Sequence, residues 1–128
     1  MQVIRIPAGT KVFLGKPAKP MDESLVRAIS ALVSDIEGVL EAHLPQCYVA
    51  GVVDPPAQVL IMVIRSQQEA ETVLYKIGVG LESILPPGVH LDVLPVSPSH
   101  PLLIAARKAE CLIKRPDAPK KRPWWKFW

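Results

Sequence analysis

Six consecutive residues, Val59-Leu60-Ile61-Met62-Val63-Ile64, carry no polar side chain. Alternate side chains of a strand point to opposite faces, so a strand of this kind has to be covered above and below. The run is short for a helix and rich in β-branched residues, which favours the strand. The rest of the chain, or a partner, must therefore supply two layers of cover.

Helical periodicity flanks the run on both sides. Leu25, Ile29, Leu32 and Ile36, with Val26 and Val33 beside them, form one apolar stripe, while Arg27, Ser30, Ser34 and Asp35 fall opposite. Asp22 suits the N-cap, Glu23 suits the first turn, and Gly38 stops a helix spanning 23 to about 37. Downstream, Ser66-Gln67-Gln68-Glu69 has the form of a capping box ahead of Ala70, Val73, Leu74, Ile77, Leu81 and Ile84. Gly78 and Gly80 inside that helix each cost about 1 kcal/mol relative to Ala, which points to close packing on the sheet. Pro86-Pro87-Gly88 ends it.

Strand patterns fill the remainder. Between Val39 and Leu44 polar and apolar residues alternate, placing Leu40, Ala42 and Leu44 inward and Glu41 and His43 on a wetter face. Pro45 suits an edge or a bulge, and Asp54-Pro55-Pro56-Ala57-Gln58 reads as the turn between strand 39–53 and strand 59–64. Val3 to Ile6 and Lys11 to Leu14 form a first strand in two arms around Pro7-Ala8-Gly9-Thr10. Val89, Leu91 and Val93 alternate with His90 and Asp92 in a further strand ending near Val96. A short helix over 101–108 and an extended stretch over 110–115 complete the body.

The order β-α-β-β-α-β predicts an α+β domain: an antiparallel, ferredoxin-like sheet with two helices on one face, plus a short C-terminal helix and a tail. The first strand and strand 59–64 take the centre, and strands 39–53 and 89–96 the edges. Residues 1–115 form one domain and 116–128 a basic, Trp-rich tail. Since both helices lie on one face, the other face of strand 59–64 is expected to meet the tail or a second copy, which makes a homo-oligomer the expectation.

Composition narrows the function classes. At 128 residues and 49% hydrophobic, the chain holds one well-filled core. It has no uncharged apolar run long enough to span a bilayer, and Met1-Gln2-Val3-Ile4-Arg5 does not open a secretory signal, so a cytoplasmic protein is expected. Cys47 and Cys111 lie far apart in no metal-ligand spacing and read as reduced thiols. The net charge of +3 is uneven: Arg107, Lys108, Lys114, Arg115, Lys120, Lys121, Arg122 and Lys126 face only Glu110 and Asp117 in the last stretch. Only that end has the charge to draw an acidic partner.

Candidates for chemistry are few. His43 and Cys47, four apart on a strand, offer a minimal thiolate–imidazole pair, but Pro45 disturbs it and no third group orients the histidine. His90 and Asp92 share a strand face and would need His43 or His100 to complete a metal site. Asp54 before two prolines is turn chemistry. Gly15-Lys16-Pro17 lacks the remaining residues of a phosphate loop, and Gly78-x-Gly80 sits within a helix pattern. No catalytic residue, cofactor or metal is assigned, and no enzymatic activity is expected.

Ala8-Gly9-Thr10, Leu14-Gly15-Lys16-Pro17, the strand bearing Glu41-Ala42-His43-Leu44, the Pro-Pro segment and the apolar strand together resemble the C-terminal domain of the SseB (enhanced serine sensitivity) family over residues 7–115. Cys111-Leu112-Ile113-Lys114-Arg115 departs from the aromatic segment usual there. The resemblance implies a bacterial regulatory or interaction role and no activity to assign to named residues.

The tail is the unusual feature. Trp124, Trp125, Phe127 and Trp128 surround Lys126 and follow Lys120, Lys121 and Arg122. Such residues fold back on an open apolar face, anchor in a partner's groove, or sit at an anionic bilayer surface. Stacking on single-stranded nucleic acid is the least favoured use. The leading expectation is a non-enzymatic interaction domain with an unidentified protein partner, Arg122, Trp124, Trp125, Lys126, Phe127 and Trp128 forming the contact. Peripheral membrane binding through the same tail is the alternative, and a small-molecule binder or enzyme the lesser one.

Overall fold

The computed structural model describes residues 1–115, which form an α+β fold. The strands are β1 (Gln2–Val3), β2 (Phe13–Gly15), β3 (Val39–His43), β4 (Gln46–Val49), β5 (Val53–Ile64), β6 (Asp92–Val96) and β7 (Leu112–Lys114). The helices are α1 (Glu23–Asp35), α2 (Ala70–Ile84) and α3 (Leu102–Lys108), with one 3-10 turn at Gln67–Glu69 leading into α2.

The sheet is mixed, with the order β1-β6-β5-β3-β7, and β4 joins β5 to β2 at its side. β1 and β5 both run parallel to β6, while β3 runs antiparallel to β5 and β7. The antiparallel ferredoxin-like order is therefore not the one adopted. β1 has only two residues and cannot serve as a central strand. The α2 crossover instead returns β6 alongside β5, and β1 adds to the outer edge of β6.

β5 is longer than its apolar run. Its twelve residues begin at Val53, so Asp54, Pro55 and Pro56 lie inside the strand and expose their side chains. The reversal falls earlier, at Ala50-Gly51, where Gly51 takes a φ of +74° that a side chain would resist. The first half of β5 pairs with β4 and the second half with β3 and β6. Pro45 separates β3 from β4, so what reads as one strand over 39–53 is two strands and a turn.

α1 starts as expected, with Asp22 Oδ1 accepting from the Ser24 amide at 2.8 Å. The start of α2 differs: the Ser66 hydroxyl caps no amide, its carbonyl accepts from the Glu69 amide, and the Glu69 carboxylate turns to Arg65. The glycines of α2 mark close packing against neighbours above the sheet. A Cβ on Gly80 would collide with the Leu32 side chain of α1, and one on Gly78 would lie 3.3 Å from Met1 Cε.

Two cores lie on the two faces of β5. Leu60 and Met62 pack with Ile29 and Val33 of α1 and Val73, Ile77 and Leu81 of α2. Val59, Ile61 and Val63 pack with Ile4, Leu94, Val96, and Leu103 and Ala106 of α3. The second face is thus covered from within the chain, by α3 and the N-terminal segment, so it is not an open face that a second copy must cover.

Candidate functional site

The α3 face holds the polar group that sequence alternation places in water. A bulge between Val39 and Glu41 breaks the alternation of β3. Val39, Ala42 and Leu44 then face the α1–α2 core, while Glu41 and His43 sit opposite Val63 and Ile61, beneath α3. Glu41 is 2% exposed and His43 1%. A charge so placed needs a partner, and Arg107, 66 residues away on α3, supplies it. Its Nε donates to Glu41 Oε2 at 3.0 Å and its terminal nitrogen to Oε1 at 2.9 Å.

This two-pronged pairing with Arg107 holds the Glu41 carboxyl below its usual range, against burial, which pulls upward; His43 adds a smaller push down. The ionised carboxylate accepts, so His43 Nε2 donates to Oε2, at 2.5 Å. Among the described residues His43 Nδ1 has no hydrogen-bond partner. Glu41 and His43 are buried beneath α3, and the Glu41–Arg107 pair ties that helix to the sheet, with the Arg107 side chain still partly exposed.

The other sequence candidates lie apart. Cys47 is fully buried among apolar residues of the α3-side core, and burial pushes its thiol up to about 11, the reverse of an activated nucleophile. Cys111 is half-buried, its Sγ 3.2 Å from the Ala109 carbonyl, and both cysteines are free. His90 precedes β6 on the surface, 2.7 Å from Asp92 Oδ1, and His100 Nδ1 accepts from the Leu102 amide at the start of α3. Among the described residues no three histidine, cysteine or acidic side chains gather as a metal site. No helix among them is long and apolar enough to cross a membrane. Arg122, Trp124, Trp125, Lys126, Phe127 and Trp128 lie outside the described residues.

What the fold does form is a cleft of about 920 Å³ at the carboxyl ends of the parallel strands. The segment 3–12 walls one side, Leu102 and Ala105 of α3 another, and Ala70 and Leu74 of α2 a third; Ile64, Leu94 and Val96 reach it from the strand ends. Its lining is more apolar than polar, and Arg5, Arg65, Ser66, Gln67 and His100 are part of it. Arg65 is bound to Glu69 and Glu37. The size and the apolar lining with a few polar groups are those of a binding cleft, where about 300–1,000 Å³ is usual. The sequence signal for it was Pro7-Ala8-Gly9-Thr10, a break in a strand that gives no hint of a cleft by itself.

Residues 6–109 match the SseB protein C-terminal domain. The chain belongs to that family. The matched stretch includes Ile6 to Thr10, both halves of the Glu41–Arg107 pair, and all of α3, so nearly the whole cleft is part of the SseB-type domain. Among curated proteins and among solved structures, nothing matches this chain.

Proposed function

We propose that this SseB-type domain is a non-catalytic interaction module whose receptor surface is the cleft beside α3, and that its ligand is a polypeptide offering apolar or aromatic side chains. The observation that carries the reading is the contrast between the cleft and the reactive groups. The cleft is open and mainly apolar, whereas Glu41 and His43 are sealed beneath α3 and Cys47 is sealed in the core. The sheet face proposed from sequence as the contact is replaced by the cleft, because α3 occupies that face.

Arginines at the mouth suit an aromatic ligand, since a guanidinium over a ring is attractive by about 0.5–2 kcal/mol. The test places a photo-crosslinking residue at Ala105, in the cleft, or at Tyr75, on the outer side of α2. The polypeptide captured is purified and titrated against the intact chain and against Ala105→Arg. Capture from position 105, with affinity for the pure polypeptide lost at least tenfold in Ala105→Arg, supports the reading; affinity unchanged in that variant rejects it.

A further inference from the structure

We infer that the cleft beside α3 is occupied, in the resting chain, by the aromatic end of the same chain's tail. The inference rests on reading the cleft as a receptor for apolar side chains and names one such ligand. Strand direction is the first argument. β7 runs antiparallel to β3 and β3 antiparallel to β5, so β7 points the same way as β5 and β6. Lys114 pairs with Ala42, which pairs with Met62, two residues before β5 ends. The chain therefore leaves Arg115 at the end of the sheet where the cleft opens.

Reach is the second. β7 stands three strand positions from β6, roughly 14 Å at the usual spacing of about 4.8 Å. The nine residues from Pro116 to Trp124 span up to about 30 Å when extended, so the tryptophans reach the cleft without displacing any strand. Chemistry is the third: Trp124, Trp125, Phe127 and Trp128 are the only large apolar residues of 116–128, and the cleft's mainly apolar lining includes Arg5. Arg65 adds little repulsion toward the basic tail, because Glu37 and Glu69 already balance it. A tail seated there competes with any partner for the cleft, which makes it a built-in inhibitor of binding.

The chain contains three tryptophans, all in the tail, so its indole fluorescence reports on nothing else. In the full chain without partner or lipid, emission is expected blue-shifted from free N-acetyl-tryptophanamide, with several-fold weaker acrylamide quenching. Ala105→Arg should return both to the free values while far-UV circular dichroism stays unchanged; Tyr75→Arg should leave them as they were. If Ala105→Arg disturbs the fold, Ala8→Arg on the exposed opposite wall replaces it. Tryptophans that are solvent-exposed in the full chain, or protected regardless of the cleft variants, overturn the inference. So does protection that disappears on dilution, which puts the tail on a second copy, or protection that arises only with anionic vesicles, which puts it on a lipid surface. Partner titration decides separately: binding sensitive to Ala105→Arg with exposed tryptophans sinks the tail and leaves the receptor reading standing.

Discussion

On one face of the sheet, α1 and α2 set Ile29, Val33, Val73, Ile77 and Leu81 against Leu60 and Met62 with no buried charge among them. On the other, the seven-residue α3 and the segment around Ile4 cover Ile61 and Val63, and a Glu41–Arg107 pair joins the layers. The first cover depends on area, which is non-directional and tolerates small shifts. The second depends on a two-pronged hydrogen-bonded pair that fixes where α3 lies. α3 is short and also buries Leu103 and Ala106, and the cleft opens beside its Leu102 and Ala105. The α1–α2 side is thus read as scaffold, and the α3 side, beside the cleft, as the side proposed to take a ligand.

That contrast breaks most visibly in the cores. Leu60→Ala, on the α1–α2 face, should cost 2–5 kcal/mol (about the usual price of such a cavity) and raise hydrogen exchange throughout the domain. Leu103→Ala, on α3, should raise exchange chiefly in α3 and the segment 3–10; equally global opening in both variants would erase the distinction. Next comes Arg107→Ala, which leaves a buried carboxylate without its cation. It should lower the thermal midpoint and loosen α3 while the exchange of α1 and α2 holds, and Arg107→Lys should recover only part, because an ammonium cannot reproduce the fork.

Gly80→Ala sharpens the other side of the comparison. Helix propensity alone would gain about 1 kcal/mol, but the added methyl collides with the Leu32 side chain. Overpacking of this kind costs about 1–3 kcal/mol, so denaturant melts should register a net loss of up to about 2. Smallest is the acid response. Glu41 is held below its usual range when folded, so its stabilising contribution is complete above the ordinary glutamate value of about 4.3. It is lost as pH falls through that value toward the folded one. Glu41→Gln should therefore flatten stability against pH below about 4.5 and leave the slope above it unchanged.

The legible and illegible parts of the sequence divide along the same line. α1 and α2 announce themselves by stripes at helical spacing, and Leu60 and Met62 by the unbroken run they belong to. The α3 side hides behind local irregularities. Alternation puts Glu41 and His43 on the face away from α1 and α2, as the structure has them, but α3 covers that face, so residues that read as surface are buried. Arg107, the partner of Glu41, lies 66 positions away from it, beyond any spacing rule. Pro55 and Pro56 carry the composition of a turn, yet stand in an exposed part of a strand whose pairing a proline does not break. The cleft itself belongs to no motif, because it is assembled from four segments and only their packing creates it.

Hydrogen exchange on the complex with a purified partner tests the central claim most directly, since it maps contact without substituting any residue. The account predicts new protection in 3–10, 65–67 and 97–105, with the outer surface of α2 around Tyr75 and Val79 unchanged. Protection confined to α2, or to the β2–β4 side around Phe13 and Tyr48, would contradict it.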